Sequence, residues 1–318
     1  MPSRRRRARS SGRRTEKLLG VALVMTFALA GAGCGGSGGS AGAAADGRLQ
    51  VVAAENVWGN IAAQLAGSKA QVASVVASPA ADPHDYEPTA GDARAVAGAQ
   101  MVIVNGIGYD PWASKLIAAN PVRGRVVLDV GDLLEIGPGG NPHRWYSPTD
   151  VQRVIGAIAR DYDKLDPKDA GYFARRKTDL ETHGLARYKR SLTSIEQKYR
   201  GVPVGASESI FQPLAKALGL NLLTPYSFQK AISEGTEPTA ADRTTIDRQI
   251  ARREIEVWVY NRQNSTPDVE RITEAVRKRG IPVTTITETL VPVSASFQDW
   301  QTRQLDELAA ALARATGR

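Results

Sequence analysis

Short apolar segments rich in β-branched residues alternate with helical patterns twice along this chain, and that alternation restricts it to one fold class. Leu49–Ala54, Val72–Ala77, Met101–Asn105 and Arg125–Asp129 read as strands, with helical stretches at Val57–Leu65, Asp92–Ala97 and Pro111–Ala119 between them. The rhythm restarts with strands at Val202–Ala206, Leu220–Thr224, Glu256–Tyr260 and Ile281–Ile286, and helices at Phe211–Leu218, Pro238–Ile250, Val269–Lys278 and Trp300–Ala313. Short strands without polar alternation, separated by helices, predict parallel sheets covered on both faces. Between the two sets, Phe173, Leu180, Leu185, Tyr188, Leu192, Ile195 and Tyr199 recur at helical spacing from Pro167 to Tyr199. At ~1.5 Å per residue this run reaches roughly 50 Å, the width of a domain; a break at Gly184 into two shorter helices is the alternative. The expected fold is therefore α/β: two lobes, each a mostly parallel four-stranded sheet flanked by helices, joined by one long helix. The boundaries fall at 48–165 for the first lobe, 166–200 for the connecting helix and 201–318 for the second.

The net charge of +8 suggests a nucleic-acid ligand until its position is considered. The eight basic residues from Arg4 to Lys17, offset by Glu16, carry all but about one unit of it. No basic patch with interleaved aromatics follows, so no nucleic-acid partner is expected. The basic head precedes the apolar run Leu18–Ala30 and the small residues Gly31-Ala32-Gly33. That is the pattern of a signal peptide over 1–33, too short for a comfortable membrane span. Cys34 is the only cysteine, so neither an intramolecular disulfide nor a thiolate metal cage is available. A lone Cys directly after a signal segment resembles a bacterial lipobox, although Gly31 stands where Leu is usual. The Gly/Ser/Ala-rich stretch from Cys34 to residue 47 reads as a flexible tether. Lipid on Cys34 would anchor the folded part to the outer face of the cell membrane.

With only three histidines in the chain, two stand directly after proline: His84 in Ala81–Thr89 and His143 in Asn141–Pro148. Pro83 and Pro88 hold the backbone around His84 extended. In parallel α/β sheets ligands bind beyond the carboxyl ends of the strands, where these turns lie. Imidazole beside carboxylates suits a borderline divalent cation; a solvated loop histidine is the plainer reading. Glu208 and Glu288 follow the 202–206 and 281–286 strands, and a helix-start charge and a loop charge are their plain readings. His183 lies in a polar helical pattern and reads as exposed.

Four segments together are similar to landmarks of one family: Asp82-Pro-His-Asp-Tyr-Glu-Pro88, Asn141-Pro-His-Arg-Trp145, Ala206-Ser-Glu-Ser-Ile-Phe211 and Thr287-Glu-Thr-Leu290. They resemble, in order and spacing over nearly all of 49–318, the cluster 9 (A-1) metal-binding proteins of bacterial ABC importers. Ser233-Glu-Gly-Thr-Glu-Pro238 resembles a further family segment. The resemblance implies two lobes on a rigid helix with the metal in the cleft, bound by His84, His143, Glu208 and Glu288. Glu at 208, where zinc-type members usually have His, and a short 132–140 loop without histidine point to the manganese or iron branch. Glu288 stands where Asp is typical. Asn141 replaces the usual Asp before Pro-His, which would remove a partner of the imidazole.

The chemistry of the donors agrees with the resemblance. Two imidazoles and two carboxylates form a site that suits Mn²⁺, although Zn²⁺ or Fe²⁺ also fits. They neutralise a divalent ion, and binding weakens in acid as the histidines protonate. The expected protein is a monomeric extracytoplasmic lipoprotein, not an enzyme, that captures the ion and delivers it to a membrane permease. The cytoplasmic ATPase is a separate subunit, since the chain has no Gly-Lys-Ser phosphate loop. The alternatives are an adhesin or structural lipoprotein with incidental metal, and a metallohydrolase using Asp85 or Glu87 as base.

Overall fold

The computed structural model describes residues 47–80 and 86–318; residues 1–46 and 81–85, with Cys34 and His84 among them, lie outside the described residues. The first sheet contains β1 (Leu49–Glu55), β2 (Ala70–Val76), β3 (Met101–Val104) and β4 (Val126–Asp129) in the order β2-β1-β3-β4, all parallel. Val51 pairs with Val72 on one side and Met101 on the other. The second sheet repeats this plan with β5 (Pro203–Ala206), β6 (Asn221–Leu222), β7 (Val257–Asn261) and β8 (Val283–Ile286) in the order β6-β5-β7-β8. The inner strands are buried on both faces, as their apolar runs require: every residue of β3 is buried.

The covering helices in the first half are α1 (Asn56–Ala66), α2 (Ala90–Gly98), α3 (Pro111–Ala119), α4 (Val130–Leu134) and α5 (Pro148–Leu165). A nearly unbroken helical run follows, comprising α6 (Ala170–Asp179) and α7 (Ala186–Tyr199) joined by a π turn at Leu180–Gly184. The sequence left a break at Gly184 open. The extra residue of the π turn is absorbed there, and the chain resumes its helical course. The second half adds α8 (Gln212–Ala217), α9 (Tyr226–Ser233), α10 (Ala240–Ala251), α11 (Pro267–Lys278) and α12 (Phe297–Thr316). Caps define their starts. Thr89 and Asp92 form a reciprocal capping box on α2, and Ser147, Thr239, Thr266 and Ser296 each accept the backbone N–H three residues on. The short helices α4 and α9 have no counterpart in the sequence reading. The first is a single turn opened by Asp129 directly from β4, and the second mixes Ser227, Gln229 and Lys230 into its pattern.

The largest apolar core is not confined to one sheet. It runs from Val51, Trp58 and Ile103 through Trp145, Ile155 and Phe173 to Val204, Phe211, Trp300 and Leu308. Aromatic contacts mark its path: Trp58 on Trp145 at 6.2 Å and Phe297 on Tyr188 at 6.0 Å, both edge-on, and Tyr146 tilted on Trp300 at 5.6 Å. Polar bonds cross with it, from Tyr146 Oη to the Thr287 carbonyl at 2.7 Å and from Gln301 Nε2 to the Trp145 carbonyl at 3.2 Å. No helix among the described residues is long and apolar enough to cross a membrane.

One buried carboxyl pair braces the loop after β3. Asp110 accepts the backbone N–H of Asn105 at 2.7 Å and of Gly106 at 2.8 Å. Gly106 has φ +68°, and a Cβ there would lie 2.2 Å from Asp129 Oδ1, so only glycine fits. Glu55, 1% exposed at the end of β1, faces Asp110. Burial first, and then the Asp110 charge, push the Glu55 carboxyl well above the ordinary carboxylate range. The folded chain thus keeps a proton here that the unfolded chain releases, so stability falls as pH rises from the ordinary carboxylate range through the raised value. Glu55→Gln removes that proton dependence. Its melting temperature is expected to match the parent near pH 5 and exceed it by a few degrees at pH 8–9, measured by thermal denaturation across pH.

Candidate metal centre

The strand order places the functional loops at the carboxyl ends of both sheets. His143 follows the coil after α4 and opens a 3₁₀ turn, Arg144–Tyr146, ahead of α5. Glu208 comes two residues after β5 in fully extended backbone, and Glu288 two residues after β8. The fold brings these three together. One ligand atom from each of His143, Glu208 and Glu288 lies within 4.8 Å of the others, and all three residues are buried. His143 Nε2 is 3.5 Å from Glu288 Oε2. The fourth expected ligand, His84, is outside the described residues. His183 is apart from this cluster, exposed and 3.1 Å from Asp179, and Glu87 is exposed.

The orientation of the imidazole is set by Asn141. Its Oδ1 accepts the His143 backbone N–H at 3.0 Å and lies 3.0 Å from His143 Nδ1. An amide oxygen can only accept, so Nδ1 carries the proton and Nε2 presents its lone pair towards the carboxylates. The sequence reading expected Asn at 141 to cost the ring a partner. Instead the amide oxygen replaces the carboxylate, and Nδ2 is anchored by the Ser209 carbonyl at 2.7 Å and Gln212 Oε1 at 3.0 Å. Asn141 thereby ties the first half of the site to the turn that follows Glu208.

The acidic pair is held by neutral donors. Asn261 Nδ2 donates to Glu208 Oε1 and, at 2.9 Å, to Glu288 Oε1. Asn264 Nδ2 reaches Glu208 Oε2 at 2.7 Å, and Tyr109 Oη reaches Glu288 Oε2 at 2.5 Å. Gln263 Oε1 receives the backbone N–H groups of Glu288 at 2.6 Å and Thr289 at 3.0 Å. Burial foremost, with the Glu288 charge adding to it, pushes the Glu208 carboxyl well above its ordinary range; Asn261 and Asn264 pull it back only in part. Such an arrangement favours a cation, which neutralises the pair and offers each oxygen a second partner. Tyr109, Asn261, Gln263 and Asn264 were not singled out from the sequence. Their only trace there is the amide-rich Asn261-Arg-Gln-Asn264 directly after the most β-prone segment.

Two four-stranded parallel sheets carry a buried imidazole–carboxylate cluster past the carboxyl ends of their strands, a donor set that could hold a metal ion. The chain belongs to the ZnuA family, described as zinc-uptake complex component A, periplasmic, whose model matches residues 51–311. Among curated relatives it is 28% identical over 207 residues to the manganese-binding lipoprotein MntA of Halalkalibacterium halodurans, covering 63% of this chain and 67% of the relative. It is 26% identical over 198 residues to the metal ABC transporter substrate-binding lipoprotein FimA of Streptococcus parasanguinis, covering 55% of this chain and 61% of that one. The chain thus spans about two thirds or somewhat less of the length of these relatives. A metal-free periplasmic metal-binding protein from Candidatus Liberibacter asiaticus shares the fold with a TM-score of 0.70, at 18% identity over 83% of this chain and 100% of that one. The family comprises the substrate-binding components of metal ABC transporters, which are not enzymes, and the metallohydrolase alternative is set aside.

The role of Asn141 is open to a direct check. Asn141→Ala leaves His143 free to rotate and change tautomer, so metal affinity is expected to drop roughly 10- to 100-fold. Calorimetric titration measures this, with the circular dichroism of the metal-free variant matching the parent.

Proposed function

We propose that this protein captures a divalent transition-metal ion outside the cell membrane, Mn²⁺ in preference, and delivers it to a membrane permease driven by a separate cytoplasmic ATPase. The proposed ligands are His84 and His143 from the first half and Glu208 and Glu288 from the second. Zn²⁺ and Fe²⁺ fit the same donors. The convergence of His143, Glu208 and Glu288 within 4.8 Å is the observation that carries this reading. The proline-flanked His84 segment and its similarity to the family's first ligand supply the fourth donor. We also propose that the protein is a monomer attached by lipid on Cys34, with residues 1–33 removed and residues 34–47 as the tether. The domain limits proposed are 48–165, 166–200 and 201–318.

The proposal is tested on the purified protein. Metal analysis after purification without chelator, followed by competition between Mn²⁺ and Zn²⁺, identifies the cargo. Glu208→Ala and His84→Ala are each expected to lower Mn²⁺ affinity by about 100-fold or more, and both variants should retain the parent's circular dichroism. Unchanged affinity in both would remove these residues from the site. Because the ligands bind only when deprotonated, affinity should also fall as pH drops below neutrality.

A further inference from the structure

Four successive backbone N–H groups in the loop that carries Glu288 donate to side-chain amides. Thr287 N–H goes to Gln304 Oε1 at 3.0 Å, and Leu290 N–H to Asn56 Oδ1 at 3.3 Å. Between them, Glu288 and Thr289 N–H share Gln263 Oε1 at 2.6 and 3.0 Å. A backbone N–H needs an acceptor, and only the oxygen of an amide can be one, so the orientation of each amide follows. The three side chains come from separate elements. Asn56 opens α1, Gln263 follows β7, and Gln304 lies in α12.

The same amides reach the chain next to the proposed histidine ligands. Asn56 Nδ2 donates to the Ala77 carbonyl at 3.2 Å, and Gln263 Nε2 to the Pro79 carbonyl at 2.6 Å. Both carbonyls lie on the stretch that leads from β2 towards His84. Gln304 Oε1 also receives Tyr146 Oη at 2.9 Å, in the turn that His143 opens. Gln263 is the most heavily used of the three. Its Nε2 also bonds Thr289 Oγ1 at 2.8 Å, and its own backbone N–H is held by Asn261 Oδ1 at 3.0 Å. A ligand loop fixed before the ion arrives is not ordered at the expense of binding, so such bonds raise affinity without touching the metal.

We propose that Asn56, Gln263 and Gln304 form a cradle of amides that sets the position of Glu288 for metal binding and couples it to the stretches leading to His84 and away from His143. None of the three is itself a ligand; they are positioning residues. The inference rests on the receptor reading above and adds the groups that hold one of its acidic ligands in place.

Gln263 is the member to change, because it serves two of the four N–H groups and is only half-buried. Zn²⁺ affinity is measured by chelator competition for the parent, Gln263→Met, Glu288→Ala and the double variant. Zn²⁺ is the probe because its tighter binding keeps weakened sites measurable. Gln263→Met is expected to lower the affinity roughly tenfold in the parent. Once residue 288 is alanine the same change should cost less than about twofold, because the cradle then has no carboxylate to place. A general loosening of the fold would cost the same in both backgrounds. Should Gln263→Met not fold, Gln263→Ser, too short to span from the Glu288 backbone to Pro79, takes its place in the same cycle. Unchanged affinity in the single variant, or an equal loss in both backgrounds, would overturn the cradle and leave the receptor reading intact. Failure of the parent to bind either Zn²⁺ or Mn²⁺ would overturn both.

Discussion

Two carboxylates held close together away from water are the constraint around which this molecule is arranged. Glu208 and Glu288 stand just past the ends of β5 and β8 and are buried. Their burial, and after it their proximity, carries a cost in the folded state, visible in the raised proton affinity of Glu208. Neutral amides and a phenol offset part of that cost through hydrogen bonds without supplying positive charge. The remainder is left for a cation. A lysine in place of Asn261 would satisfy the same oxygens and abolish the attraction for metal, so the neutrality of the surrounding donors matters as much as the acids themselves.

Positioning of this kind needs a stiff frame, because the ligands come from loops separated by long stretches of chain. The shared core supplies it. Trp58, Trp145, Tyr146 and Trp300 pack in sequence from the first sheet's helices to α12, and Tyr146 reaches across to the Thr287 carbonyl next to Glu288. The second frame is the chain of bonds from Asp110 through Asn105 to the Pro142 carbonyl, one residue before His143. Asn105 Oδ1 also holds the indole of Trp58 at 2.9 Å, so the polar and apolar frames meet at that residue.

Much of this was legible in the sequence, for a physical reason. Strands buried on both faces must be apolar, and inner strands such as β3 stand out as such runs, while the edge strands β2, β4, β6 and β8 are partly exposed and admit polar residues. His143, Glu208 and Glu288 fall where α/β sheets bind ligands, but it was the resemblance of their segments to the metal-binding family that marked them as ligands. What stayed hidden depends on which loops meet in space. Asn261, Gln263 and Asn264 are ordinary loop residues until β5, β7 and β8 lie side by side, and Tyr109 looks like any core aromatic until its hydroxyl is found against Glu288. Asn141 was misjudged by chemical type: the sequence reading weighed the lost charge, whereas the ring needs only an acceptor. The apolar stripe of α12 announced a helix but not that it would lie along α7 and touch α1.

That last contact has a consequence for how the molecule comes into being. The apolar face of α7 has its cover in α12, which also touches α1, where Asn60 receives the Phe297 backbone N–H at 2.8 Å. A growing polypeptide that has completed the first sheet still exposes greasy surface until Phe297–Thr316 emerges. The last helix of the chain is thus a structural member of the core that the earlier helices build, and the folded state depends on it as much as on the first sheet.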